Sequence, residues 1–218
     1  RILSLAGGQL NKMSQVVQAF EDAQSVTDSA IRILDEQTGP FFLFIHLWDL
    51  HAPYHPKRPY ISRVPLSPEE SRIPIAEACS HLSHSPWGRQ LERWLEGYTY
   101  IDEFVAAYQS QVLFIDRQLG RLWDAMDRFG LNRNTLVILT SDHGESFHEH
   151  GICFDHHGLY EPTVHVPLVL KAPGRLPQGR KVEGLVQHVD LVPTLLQLLD
   201  VPFSGDLDGV SLLPVVET

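Results

Sequence analysis

Two apolar runs in this chain spill directly into polar clusters, and that pairing narrows the folds open to it more than any other feature. FFLFIHLW, residues 41–48, is followed at once by Asp49 and His51. TLVILT, residues 135–140, is followed by Ser141, Asp142, His143 and Glu145. The first run is almost continuously apolar, as a central strand buried on both faces would be. The second is short and rich in β-branched residues, and a third run, VPLVLKAP (166–173), leads into a Gly/Pro turn region. Helical patterns lie between them. Ala30, Ile31 and Leu34 share a stripe over 25–37, with Ser25 or Thr27 placed to cap it. Val112, Ile115, Leu119, Leu122, Met126 and Phe129 recur at three- and four-residue steps over 100–129. DLVPTLLQLLD (190–200) opens on Asp190 as a cap and tolerates Pro193 in its first turn. Residues 52–74 hold six prolines and read as loop. Strands alternating with helices predict an α/β fold with a mainly parallel central sheet flanked by helices. In such sheets ligands gather beyond the carboxyl ends of the strands, which is where both polar clusters fall.

Bulk properties exclude several classes. A 43% hydrophobic, 20% charged chain of 218 residues has the composition of one globular domain. None of its apolar runs approaches the roughly 18 residues of a membrane span. A net charge of −10 argues against general nucleic-acid binding and leaves room for a small anionic ligand in a locally cationic site. Cys79 and Cys153 are far apart and predict neither a disulfide framework nor a thiolate metal site. The twelve histidines stand out, and most are clustered: His46, His51 and His55, then His143, His148, His150, His156, His157 and His165.

Four blocks follow one another in an order that carries a resemblance: PFFLFIHLWDLHAPYHP, LVILTSDHGESFHEHG, HHGLYEPTVHVPLVLKAPG, and VEGLVQHVDLVPTLLQLLDV continuing to DGVSLLP. Together they resemble the later part of a sulfatase domain of the alkaline-phosphatase-like superfamily, over nearly the whole chain from about residue 25 apart from 60–95. The resemblance implies that Asp142 and His143 ligate a divalent metal, a hard oxygen beside an imidazole nitrogen. Calcium is the first expectation and manganese the alternative. It implies that His51, in HAPY, contacts the sulfate or the leaving oxygen. Where the family places a sulfate-binding lysine, four residues before Tyr160, this chain has His156, with His157 adjacent. His156 is favoured by spacing, acting as a donor to an anionic oxygen when protonated. His148, Glu149 and His150 are expected to brace the site, His165 to lie in the core or behind the ligands, and His188 and Asp190 to open the last helix. His81 and His84 fall in a loop that would border the substrate.

The expected function is hydrolysis of a small-molecule or saccharide sulfate ester, with no nucleic-acid partner. Neither cysteine sits in the Cys/Ser-x-Pro-x-Arg pattern of the family's formylglycine nucleophile. The chain is therefore expected to be the later portion of the catalytic domain, 1–218, its sheet incomplete. The nucleophile segment and a small C-terminal domain would lie outside it, association with that missing part is open to it, and by itself it should turn over nothing. A phosphonate monoester hydrolase or phosphodiesterase of the same superfamily is the nearest alternative. A non-catalytic binding module keeping the fold is the alternative of another class.

Overall fold

The computed structural model describes residues 2–6, 9–13, 22–82 and 85–217. His84 lies outside the described residues. The chain divides into two compact units, residues 1–130 with 141–166 and residues 131–140 with 167–218.

In the first unit, β1 (Ile2–Ala6), β2 (Gln9–Met13) and β3 (Phe42–Leu43) form a sheet in the order β2-β1-β3. Its helices are α1 (Ala23–Asp35), α2 (Ile75–Ala78), α3 (Pro86–Trp94), α4 (Ile101–Arg128) and α5 (Glu161–Val164). The second unit pairs β4 (Val137–Thr140) with β5 (Leu168–Lys171) and carries α6 (Leu191–Leu198) and α7 (Leu213–Glu217).

The α/β class stands, while every described strand pairing is antiparallel. Between β4 and β5 the chain makes only short helical turns instead of laying a long crossover helix on the sheet, which is what a parallel return requires. The 41–48 run also departs from expectation. Only Phe42–Leu43 pairs, and accessibility alternates along the run: Phe41, Leu43, Ile45 and Leu47 are half-buried, whereas Phe42, Phe44, His46 and Trp48 face outward. It is therefore a half-covered extended segment rather than a strand buried on both faces.

Helix α1 starts earlier than expected. Its cap is Asp22, whose Oδ1 accepts from the Ser25 amide at 3.1 Å, so the cap lies three residues ahead of Ser25 and five ahead of Thr27. Helix α4 covers the predicted span and buries Leu122 and Met126 as predicted, while before them its buried face runs through Phe104, Ala107, Gln111, Phe114 and Gln118 rather than the predicted positions. Val112 is exposed. Small, hydroxyl and amide side chains lie on this face, so polar letters in the pattern conceal a buried surface. Arg121 joins α4 to α1, donating to Gln118 Oε1 at 2.7 Å and pairing with Asp28 of α1.

The core of this unit is centred on Phe104, with no exposed surface. The rings of Tyr54, Tyr98 and Phe154 lie 4.7, 5.0 and 4.6 Å from it. Full burial of one such ring contributes roughly 1.5–3 kcal/mol. Against the same core sits a disulfide between Cys79 and Cys153, whose Cα atoms are 6.0 Å apart. The sequence expectation of no disulfide is thus corrected: a separation of 74 residues gives no spacing signal, and only folding brings the end of α2 against the loop after Gly151.

In the second unit Ala172, Leu198 and Leu213 form a small core with Leu136 and Leu176. Asp190 holds it together differently from a simple helix cap. Its Oδ2 accepts from the Gln187 amide and its Oδ1 from the Val210 amide, both at 2.9 Å, so it closes the turn before α6 and ties down the loop ahead of α7.

Candidate active site

The segment 141–157 carries the site within the first unit. Gly144 anchors its start: its amide donates to the Thr163 carbonyl at 2.8 Å, and a Cβ at this position would run into the Pro162 carbonyl oxygen. Ser146 and Asp155 pair through both backbone bonds, at 3.0 and 3.2 Å, and close the loop on itself. Within it Glu149 Oε2 accepts from the amides of Phe147 and His148 at 2.8 and 3.1 Å. These bonds hold the loop's own backbone, and of the side chains of His148, Glu149 and His150 they use that of Glu149 alone.

Asp142 is 77% exposed, with Oδ1 3.8 Å from His143 Nε2. His143 Nδ1 faces the Gly144 carbonyl at 2.8 Å. A carbonyl only accepts, so Nδ1 carries the hydrogen and the Nε2 lone pair is turned toward the Asp142 side. His51 has the same arrangement: its Nδ1 donates to the Ala52 carbonyl at 2.7 Å, and its ring is stacked on Trp48 at 4.4 Å.

The four residues expected to act together are brought together. His143 stacks on His156 with ring centroids 3.9 Å apart, and His51 meets His156 edge-on at 5.9 Å. His156 Nδ1 lies 3.8 Å from both Glu145 Oε1 and Asp155 Oδ1. Burial above all, and then the neighbouring His143, holds the His156 imidazole below its ordinary pKa, with Asp155 pulling the other way. His157 points outward, 80% exposed, with Nδ1 2.6 Å from Asp155 Oδ2.

Three residues of the site carried no assigned role in the sequence. Glu145 is buried, and its Oε2 accepts from Tyr54 Oη at 2.9 Å. Its Oε1 has no hydrogen-bond partner among the described residues. Desolvation pushes the Glu145 carboxyl up to about 7, against the opposing pull of the Tyr54 hydroxyl and His143. Tyr54 lies in the HAPY block 91 residues away, a pairing without any spacing signature, and Asp155 is the third. His165, expected inside, is instead an exposed residue whose Nδ1 meets Glu161 Oε1 at 2.7 Å. His81 reaches the site loop, with Nε2 2.7 Å from the Gly151 carbonyl. His188 stands at the turn before α6, as expected, with Nε2 3.1 Å from Thr140 Oγ1.

For a divalent ion the donor types suit and the number falls short. Asp142 and His143 offer one carboxylate and one imidazole, and no group of three or more His, Cys, Asp or Glu side chains is arranged to hold a metal ion among the described residues. Further donors would have to be water or groups beyond those described.

The family model for Sulfatase matches residues 6–201. The multifunctional alkaline phosphatase superfamily protein PehA of Trinickia caryophylli is 29% identical over 224 residues, covering 95% of this chain and 43% of its own length. An N-acetylglucosamine-6-O-sulfatase of Bacteroides thetaiotaomicron is 33% identical over 115 residues, 53% of this chain and 20% of its own. A protein solved in complex with its substrate D-glucosamine-2-N,6-O-disulfate superposes with a TM-score of 0.70 at 20% identity, over 93% of this chain and 53% of that one. This last is a likeness of fold. The chain spans less than half the length of these curated relatives.

Proposed function

Since this chain belongs to the sulfatase family, we propose that it forms part of an active site hydrolysing a sulfate ester, with His51 and His156 contacting the sulfate and Asp142 and His143 holding a divalent ion. The observation that supports this best is the unbroken series of ring contacts His51–His156–His143, ending beside Asp142.

The chemistry of each residue follows from its hydrogen bonds. His143, fixed through Nδ1, offers Nε2 as a neutral ligand beside the Asp142 carboxylate. The ion, calcium first and manganese second, would supply positive charge against the sulfate oxygens. His51, fixed in the same way, presents Nε2 to the substrate. His156, kept largely neutral, donates an N–H to a sulfate oxygen at the position where the family resemblance implies a lysine. Tyr54 holds Glu145 behind His156, so the HAPY segment supports the site from below as well as lining it. The nucleophile expected is a formylglycine outside the described residues. A sulfated saccharide is the substrate class suggested by the N-acetylglucosamine-6-O-sulfatase likeness.

The likeness to a multifunctional alkaline phosphatase superfamily protein over 95% of the chain keeps phosphonate and phosphodiester hydrolysis as the second reading. Both are tested on the whole protein with 4-methylumbelliferyl sulfate and phenyl phosphonate monoesters, before and after chelation and re-addition of calcium or manganese. Sulfate turnover that is lost on chelation, restored by one ion, and reduced at least about 100-fold in Asp142→Ala/His143→Ala is the expected result. Faster cleavage of the phosphonate ester would shift the assignment, and undiminished turnover in the double variant would sink the metal roles.

A further inference from the structure

His157 lies outside the ligand pair and extends the ring series beyond His156, and its own surroundings are specific. Its side chain is 80% exposed, while its partner Asp155 is 10% exposed. Asp155 is immobilised three times over. Its backbone is paired in both directions with Ser146, its Oδ1 accepts from the His156 amide at 2.8 Å, and its Oδ2 faces His157 Nδ1 at 2.6 Å. An exposed side chain loses rotamer freedom when pinned in this way, and the hydrogen bond gains little unless the ring's orientation is used. A carboxylate accepts only, so Asp155 keeps the hydrogen on Nδ1 and leaves Nε2 as the working nitrogen, directed away from its partner. A buried carboxylate orienting an imidazole is how hydrolases prepare a histidine for proton transfer. The ring also lies parallel to His156, the histidine proposed above to contact the sulfate, at 11° and 5.8 Å.

Resting on the sulfatase reading above, we infer that His157, positioned by Asp155, is the proton donor to the leaving alcohol. An oxygen nucleophile forms the new bond to sulfur as the bond from sulfur to the ester oxygen breaks, and that oxygen keeps the electron pair. The proton on Nε2 of the imidazolium passes to it, leaving a neutral ring with Nδ1–H still on Asp155. Solvent then returns the proton to Nε2. The groups facing His157 are Asp155 and His156, and the division of labour between the adjacent histidines is positional: His156 turns inward to the sulfate, His157 outward to the departing group.

General-acid loss has a signature that simple disruption lacks, because a poor leaving group needs the proton and a good one does not. The whole protein and its His157→Gln and Asp155→Asn variants are compared on 4-nitrophenyl sulfate and on 2-(4-nitrophenyl)ethyl sulfate. His157→Gln is expected to lower kcat on the alkyl ester by at least about 100-fold, with KM little changed, and to leave the aryl ester within about threefold. Asp155→Asn should show the same split in smaller measure. If Asp155→Asn is too unstable to assay, the exposed His157→Gln still decides. Equal losses on both esters, or none on either, overturn the inference while the sulfatase reading survives. A wild-type protein that cleaves neither ester overturns that reading, and the inference with it.

Discussion

Gly144, within the site, and Asp49, beside the start of α1, show how much single residues can decide locally. Gly144 is held by its amide to Thr163 and faces the Pro162 carbonyl, so any side chain there must displace backbone. Gly144→Ala should cost about 1–3 kcal/mol in urea unfolding and disable turnover as the 142–144 segment shifts. A melt indistinguishable from wild type would contradict it. Asp49 has a buried Oδ2 with no partner among the described residues, and burial raises its pKa, the Ala23 amide acting in the opposite sense. Between the unfolded value and this raised folded value, the folded state holds more protons, so stability falls as pH rises through that window. Asp49→Asn should therefore be more stable than wild type at pH 7, with the gap closing as pH drops below about 4, where both states of Asp49 are protonated. Paired urea midpoints at the two pH values read this directly. At this scale the sequence is most informative about residues whose roles are local. Asp142 and His143 adjoin a strand end, and His51 sits in a short motif. Tyr54 with Glu145 and Asp155 with His157 are not legible there as pairs. The Tyr54 pair forms across 91 residues, and Asp155 with His157 has the composition of ordinary loop polarity until the Ser146–Asp155 bridge fixes it.

Among the elements, α4 is the clearest case of a pattern with the right period whose phase holds only in the last turns, at Leu122 and Met126. Its span is legible from three- and four-residue steps, while Gln111 and Gln118 sit in the buried stripe where a hydrophobicity rule would not put them. What packs against the helix decides the phase, and that is a tertiary fact. The antiparallel return of β5 onto β4 is tertiary in the same sense, since run composition says nothing of strand direction. The Phe104 core joins α4 to Tyr54 and Phe154, and Phe104→Ala should cost about 3–5 kcal/mol and lower the thermal midpoint accordingly. The disulfide joins α2 to the site loop. Cys79→Ser/Cys153→Ser should lose about 2–4 kcal/mol of stability, and a reducing agent should reproduce the loss in wild type but not in the variant. Equal effects of reductant on both proteins would show that the bond is not formed.

For the molecule as a whole, the outward row Phe42, Phe44 and Trp48 weighs against a net charge of −10. Charge repulsion resists association through that row, and salt weakens the repulsion without weakening apolar contact. Self-association of this chain, followed by sedimentation velocity, should grow with added salt and fall in Phe44→Lys/Trp48→Lys; a salt-independent monomer would show that the row is harmless. The α/β class and the family are legible at this scale because they rest on the order of blocks along the chain. The division into two units is not, since the first unit takes its residues from two separated stretches of sequence. The Cys79–Cys153 bond, with His81 resting on the Gly151 carbonyl beside it, gives the chain an inherited constraint. The loop expected to differ most between relatives is fastened to the segment that carries Asp155, His156 and His157. Any change within residues 60–95 that keeps both contacts must return Cys79 and His81 to the same anchor, so the variable stretch and the histidine-bearing segment are free to move only together.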